Sequence, residues 1–174
     1  MFWSGQRIFD EVLKVVEANK DALGKLKINP SGVDIGISSA ERIQDDAIAT
    51  IDGERRELDS KTVTYKPHEG YYALPRGVYV VRLNVAVKIP ATAIGLSLPR
   101  STLIRLGIIK CETAVFDPGY EGIGIQTVYI PIKELRIAEN ERWFQFLVAD
   151  AKNSGMTYSG KYQGEGIRRR QARV

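Results

Sequence analysis

From Gly32 onward the chain is a succession of short β-branched and apolar runs, separated by Pro, Gly and charged residues, with no helical pattern between one run and the next. The runs fall at 33–37, 62–65, 77–89, 93–98, 123–130 and 143–148. Closely spaced turn residues between strand-like runs favour a β-sandwich, barrel or jelly roll. The missing intervening helices argue against a doubly wound α/β sheet. Alternation at Val78, Val80, Leu83, Val85 and Val87 fits a half-buried strand. The polar stretch 42–61 reads as a hairpin turning near Asp52-Gly53.

One helical signal precedes this. Ile8, Phe9, Val12, Leu13 and Val16 recur at helical spacing, which predicts an amphipathic helix over 8–23 with Ser4 as N-cap and Gly24 as its stop. At 174 residues the chain has the length of one domain with one core. It has no repeat and no low-complexity tract. No apolar run reaches 18 residues, so no helical membrane span is expected. No secretory signal opens the sequence, and the expected compartment is the cytoplasm.

Two features of composition narrow the chemistry. Cys111 is the single cysteine and His68 the single histidine, so a protein-ligated Cys/His zinc site is not expected. The net charge of +4 sits at the end of the chain. Four of the 25 basic residues, Arg168, Arg169, Arg170 and Arg173, lie in the last eight positions, and the other 21 are balanced by 21 acids. A broadly basic surface is therefore not implied, and nucleic acid is not the expected partner. The tail is open to three readings: a solvated terminus, a polyphosphate clamp or a nucleic-acid contact.

Three segments are dense in functional side chains. In Pro99-Arg100-Ser101-Thr102-Leu103-Ile104-Arg105-Leu106-Gly107, hydroxyls and guanidinium groups surround the start of a short helix. That pattern suits either anion binding or simple capping. In Phe116-Asp117-Pro118-Gly119-Tyr120-Glu121-Gly122-Ile123-Gly124, a strong turn former carries Asp117 beside glycines that let a ligand approach backbone. Asp117 either faces that ligand or closes an Asx-turn. Finally, Tyr158-Ser159-Gly160-Lys161-Tyr162-Gln163-Gly164-Glu165-Gly166 combines stacking faces, a cation and glycine hinges. It fits a closing flap or an ordinary loose terminus. Trp143, Phe144 and Phe146 read as core; Trp3, His68 and Cys111 read as structural.

The order of these segments resembles the trimeric dUTPase and dCTP deaminase superfamily, and within it the short archaeal dUTPases of deaminase-like sequence. Gly32-Val33-Asp34-Ile35 is similar to the family's first motif, and Arg100-Ser101-Thr102-Leu103 to its Arg-Ser-Ser-Leu element. Asp117-Pro118-Gly119-Tyr120-Glu121-Gly122 is similar to its Asp-Pro-Gly hairpin. Glu141-Arg142-Trp143-Phe144-Gln145 and Gly160-Lys161-Tyr162-Gln163-Gly164 resemble its fourth and fifth elements.

The resemblance implies a distorted β jelly-roll, a dUTPase-like β-clip with one N-terminal helix, as a single domain over 1–174. Residues 151–174 would form a mobile flap and basic tail. It further implies a homotrimer with active sites between subunits, and Mg2+ held mainly by the substrate triphosphate. The implied activity is hydrolysis of dUTP to dUMP and pyrophosphate. Arg100, Ser101, Thr102, Arg105, Gln145, Tyr158 and Lys161 would contact phosphates, with no protein ligand to the metal. Asp117 would meet the sugar 3′-hydroxyl and orient the attacking water. Gly124, Ile125 and Gln126 would line the deoxyribose and read the pyrimidine.

Deaminases of the family carry a proton-shuttling glutamate ten residues past that aspartate, where this sequence has Thr127. A hydroxyl cannot replace a carboxylate in general acid–base work, so dCTP deamination is the alternative rather than the expectation. Glu121 is the nearby carboxylate that would have to substitute. A catalytically silent nucleotide- or nucleic-acid-binding homologue is the other alternative. Two departures from the pattern stand out: Thr102 replaces the second serine, and Glu165 replaces a flap glutamine.

Overall fold

The computed structural model describes residues 1–14, 25–53, 55–59, 62–111, 115–152 and 155–167, with backbone alone at 55–59. The arginine tail at 168–174 lies outside the described residues.

The first helix, α1 (Gly5–Glu11), begins where the sequence places it: the Ser4 side chain accepts from the Arg7 amide at 3.3 Å. Such a cap contributes about 1 kcal/mol. The helix is shorter than the periodicity predicts. After Glu11 the chain turns into β1 (Leu13–Lys14), which pairs antiparallel with β8 (Ala86–Lys88), Leu13 opposite Val87. The Lys88 amide then donates to the Val12 carbonyl at 2.9 Å. Val12 and Leu13 are buried either way, so the apolar spacing did not separate helix from strand. The rest of the expected helix, 15–23, and its expected stop at Gly24 lie outside the described residues.

A nine-stranded antiparallel sheet forms the body. Its main path runs β10 (Ile109–Lys110), β13 (Ile125–Ala138), β7 (Tyr71–Leu83), β3 (Gly32–Ile43), β14 (Arg142–Asp150), β9 (Ala93–Pro99) and β11 (Val115–Phe116). The strands β2 (Lys27–Asn29) and β6 (Thr62–Tyr65) also pair with β3. The first half of β3 pairs with β14 and its second half with β7, with a register shift between Ile37 and Ser39. One bent strand thus joins both flanks of the curled sheet, as a jelly roll requires. A small sheet orders β1, β8 and β12 (Glu121–Gly122).

Every anticipated strand is present, with one internal break. The run 77–89 divides into β7 and β8 at Asn84, whose side-chain oxygen accepts the Gly36 amide at 3.1 Å. The polar stretch forms the expected hairpin, β4 (Ile48–Asp52) with β5 (Arg55–Asp59), turning at Gly53 with φ +54°. Trp143, Phe144 and Phe146 are fully buried beside Val33, Ile35, Val81 and Val148. Burying each such side chain contributes on the order of 2 kcal/mol. Trp3 is buried too and donates its indole N–H to Asp150 at 2.7 Å. Among the described residues, no helix is long and apolar enough to cross a membrane.

Candidate active site

The Asp-Pro-Gly turn joins β11 to β12. Gly119 takes φ +83°, the left-handed conformation that glycine supplies cheaply, and the Tyr120 amide donates to the Asp117 carbonyl at 3.0 Å. The turn is anchored on its other side by the Gly119 amide on the Ile89 carbonyl (3.0 Å) and the Ile89 amide on the Tyr120 carbonyl (2.8 Å). Tyr120 is buried against Phe116, ring centroids 5.5 Å apart. Asp117 stays exposed at the edge of a cavity of about 320 Å³.

The cavity brings together Asp117, Gly124, Ile125, Gln126 and Tyr158 from the expected site. Gly124 is required there by space: a Cβ would sit 2.6 Å from the Phe116 ring. Gln126 is buried and donates to the Ile125 carbonyl at 2.9 Å, which fixes one wall of the cavity. Thr127 does not line it; its carbonyl accepts the Cys111 amide at 2.8 Å. The Glu121 carboxylate does not line it either and lies 3.6 Å from Lys88.

Residues 155–167 supply the remaining wall. The Tyr158 amide donates to Pro118, that of Gly164 to Glu121, and the Ile123 amide to Glu165, each at 2.7 Å. Tyr158 and Tyr120 meet edge to face at 5.5 Å, and Tyr162 also lines the cavity. The segment therefore packs on the Asp-Pro-Gly hairpin of its own chain. Lys161 is exposed in its turn.

Glu165 is the cavity's second carboxylate. Burial pushes its pKa up, partly offset by Arg82, whose Nη1 lies 3.7 Å away. Burial also raises the Tyr120 hydroxyl to about 12, with the Glu165 and Tyr158 charges adding to the shift. Arg82 went unnoticed in the sequence because it sits in the alternation of β7 like any outward residue.

The remaining predicted residues lie elsewhere in the chain. The helix α2 (Ser101–Arg105) presents Ser101, Thr102 and Arg105 on its exposed side, and Arg100 is its N-cap residue. Arg100 points back into the sheet. Its Nε lies 3.0 Å from Asp34, and its Nη1 donates to the Arg142 carbonyl at 2.9 Å and lies 3.5 Å from Glu141. The second Asp34 oxygen accepts from Asn29 at 2.8 Å. Burial alone would raise Glu141, but the Arg142 amide and guanidinium, with Arg100, hold it below the usual carboxylate range.

Beside this network, Arg100 and Thr102 line a second cleft of about 380 Å³ with Arg136 and Arg142. Neither of those two arginines was singled out from the sequence, although Arg142 lies inside a quoted motif. Gln145 sits on β14, and a Cβ on Gly32 would meet its Nε2 at 3.0 Å. Of the residues expected to contact phosphates, Arg100 and Thr102 thus line this second cleft and Tyr158 lines the first cavity, whereas Ser101, Arg105, Gln145 and Lys161 line neither. Among the described residues, no three His, Cys, Asp or Glu side chains gather as a metal-binding group.

A model of the dCTP deaminase-like family matches residues 2–151. A protein of Aeropyrum pernix described as a probable deoxyuridine 5'-triphosphate nucleotidohydrolase is 33% identical over 170 residues, covering 96% of this chain and 100% of that one. The deoxyuridine 5'-triphosphate nucleotidohydrolase of Methanocaldococcus jannaschii is 29% identical over 147 residues, covering 83% and 92%. In fold, the chain is similar to the 2'-deoxycytidine 5'-triphosphate deaminase of Agrobacterium tumefaciens, with TM-score 0.61 at 18% identity over 84% of its length. It spans 46% of that longer chain.

Proposed function

Because this chain belongs to the dCTP deaminase-like family, we propose that it is a dUTP diphosphatase, releasing dUMP and pyrophosphate. The observation that carries this reading is the composition of the cavity. Gly124, Ile125 and Gln126 form one wall and Asp117 stands at its edge, while Thr127, which the sequence has where deaminases of the family carry their glutamate, lies outside the lining. Backbone amides and carbonyls can read a pyrimidine edge without side-chain chemistry.

In this reading Asp117 accepts a hydrogen bond from the sugar 3′-hydroxyl and from the attacking water. The water oxygen bonds to the α-phosphorus, the bond from α-phosphorus to its bridging oxygen breaks, and pyrophosphate leaves. The water's proton passes to Asp117 or to solvent. Arg100, Ser101, Thr102, Arg105, Gln145, Tyr158 and Lys161 bind phosphates and stabilise developing charge. Mg2+, carried by the triphosphate, would polarise phosphorus when bound. With no cluster of metal-ligating side chains among the described residues, the donor set fits a cation that arrives with the substrate.

Arg100 and Thr102 line a different cleft from Asp117, which supports a shared site: a second copy of the chain brings its Arg100 and α2 residues to the first copy's cavity. An apolar face composed of Ile104, Leu106, Ile109 and Tyr129, all exposed and adjoining α2, suits that contact. We assign the chain to a homotrimer in the cytoplasm, with residues 155–167 as the flap.

One observation favours a second reading, dCTP deamination. Glu165 places a carboxylate with a raised pKa in the cavity, where a proton shuttle would have to be. Incubation with Mg2+ and either dUTP or dCTP, followed by chromatography of the products, separates the two. dUMP from dUTP with dCTP untouched supports the diphosphatase; ammonia and a uracil nucleotide from dCTP establish the deaminase.

A further inference from the structure

We propose that Gln163 is a positioning residue for Asp117, acting through the turn that carries it; this rests on the role assigned to Asp117 above. The Gln163 side chain crosses from the C-terminal segment to the hairpin and engages it twice. Its Oε1 accepts the Glu121 amide at 3.1 Å, and its Nε2 donates to the Gly119 carbonyl at 3.0 Å. One planar amide thus bridges the residues on either side of Tyr120. The Gly119 carbonyl and the Glu121 amide belong to the turn itself, which leaves them without partners inside it.

Gln163 is held in place for this task. Its own amide donates to Gly160 at 3.1 Å, and the following Gly164 amide donates to Glu121 at 2.7 Å. On the opposite side of the turn, Ile89 makes the matching pair of backbone hydrogen bonds to Gly119 and Tyr120. The turn is therefore gripped from both sides: by Ile89, which follows β8, and by Gln163 of the docked segment 155–167. Asp117, exposed and two residues before Gly119, receives its orientation from a turn that the docked segment completes. Docking then does more than cover substrate: it sets the carboxylate against the water.

The shape of the amide makes this testable. Gln163→Met keeps the volume and loses both hydrogen bonds. The expected result is kcat at least about tenfold lower with KM within about twofold of the parent, because a misplaced catalytic group costs turnover rather than ground-state binding. Gln163→Glu supplies the acceptor always but the donor only when protonated. Its kcat, taken as a ratio to the parent at each pH, should therefore rise as pH falls from about 8 to about 5, toward the ordinary glutamate range. The Gln163→Met ratio should stay flat.

Asp117→Asn is measured alongside. If Asp117→Asn is inactive while Gln163→Met turns over like the parent, the positioning role is wrong. It is equally overturned if Gln163→Met raises KM in step with the fall in kcat, which would make Gln163 part of a simple cover, or if the Gln163→Glu ratio ignores pH. If Asp117→Asn itself retains turnover, the fault lies in the assigned function rather than in the clamp.

Discussion

Asp34 and Arg100 form an ion pair at 3.0 Å in which both side chains are largely withdrawn from water, Asp34 retaining 8% and Arg100 20% exposure. The pair joins the start of β3 to the entry of α2, and Asn29, Glu141 and the Arg142 carbonyl satisfy its remaining edges. A buried charge left without its partner costs more than the pair itself gains. Asp34→Ala should therefore destabilise the protein by about 3 kcal/mol. For a chain of this length that is a fall in Tm of about 6–12 °C, read by differential scanning calorimetry. An unchanged Tm would mean that Arg100 finds water instead.

Asp117→Asn keeps the size and the hydrogen-bonding reach of the side chain but removes its charge. Turnover of dUTP should drop by about 100-fold or more, with nucleotide affinity and Tm near the parent values. Product formation in a coupled pyrophosphate assay, together with isothermal titration, checks both halves.

The β architecture was legible in the sequence because turn formers punctuate β-branched runs, and Trp143, Phe144 and Phe146 were legible as core because large aromatic side chains inside such a run are mostly buried. The N-terminal helix was overextended because Val12 and Leu13 are buried in either a helix or a strand, and only the distant partner Val87 decides between them. The hairpin carrying Asp117 announced itself through Asp-Pro-Gly. Arg82, Arg136 and Arg142 did not: an outward arginine on a strand has no local mark, and its importance comes from which cleft or carboxylate the fold sets beside it.

Gly124→Ala places a methyl group against the rigid Phe116 ring at 2.6 and 2.7 Å and against Leu83 at 3.0 Å. Overpacking of this kind costs about 1–3 kcal/mol. The aromatic contacts from Phe116 to Tyr120 and from Tyr120 to Tyr158 should shift with it, so the variant should also lose affinity for nucleotide. Chemical denaturation and titration with a non-hydrolysable dUTP analogue measure the two effects.

Glu165 titrates in the direction opposite to Glu141. Its carboxyl is raised in the folded protein, so the folded state binds more protons than the unfolded one between the ordinary glutamate value and the raised one. Stability from this group is greatest below the unfolded pKa and declines as pH rises through the folded pKa. The docked segment should accordingly resist limited proteolysis better at about pH 5 than at about pH 8, bracketing the glutamate range. Glu165→Gln should abolish the difference. Glu141, held low, behaves conversely: its contribution is present above the unfolded pKa and fades as pH falls through the folded one.

Ile109→Glu puts a charge in the exposed face beside α2. In the proposed homotrimer, scattering mass should fall to that of one chain and turnover should fall with it, because the proposed site between copies is then split. A monomer with full activity would show that one chain is sufficient.

The indole of Trp3 is bonded to Asp150, 147 positions away, and the Trp3 amide donates to the Val148 carbonyl at 2.8 Å. A contact this distant in sequence cannot form on the ribosome until residue 150 has emerged. The first strand-forming segments must therefore wait with their apolar faces uncovered while the rest is synthesised. Closure of so long a loop, in a sheet built from nonlocal pairings, belongs to folding in the millisecond-to-second range rather than microseconds. The interval between synthesis and closure is when this chain is most exposed to aggregation.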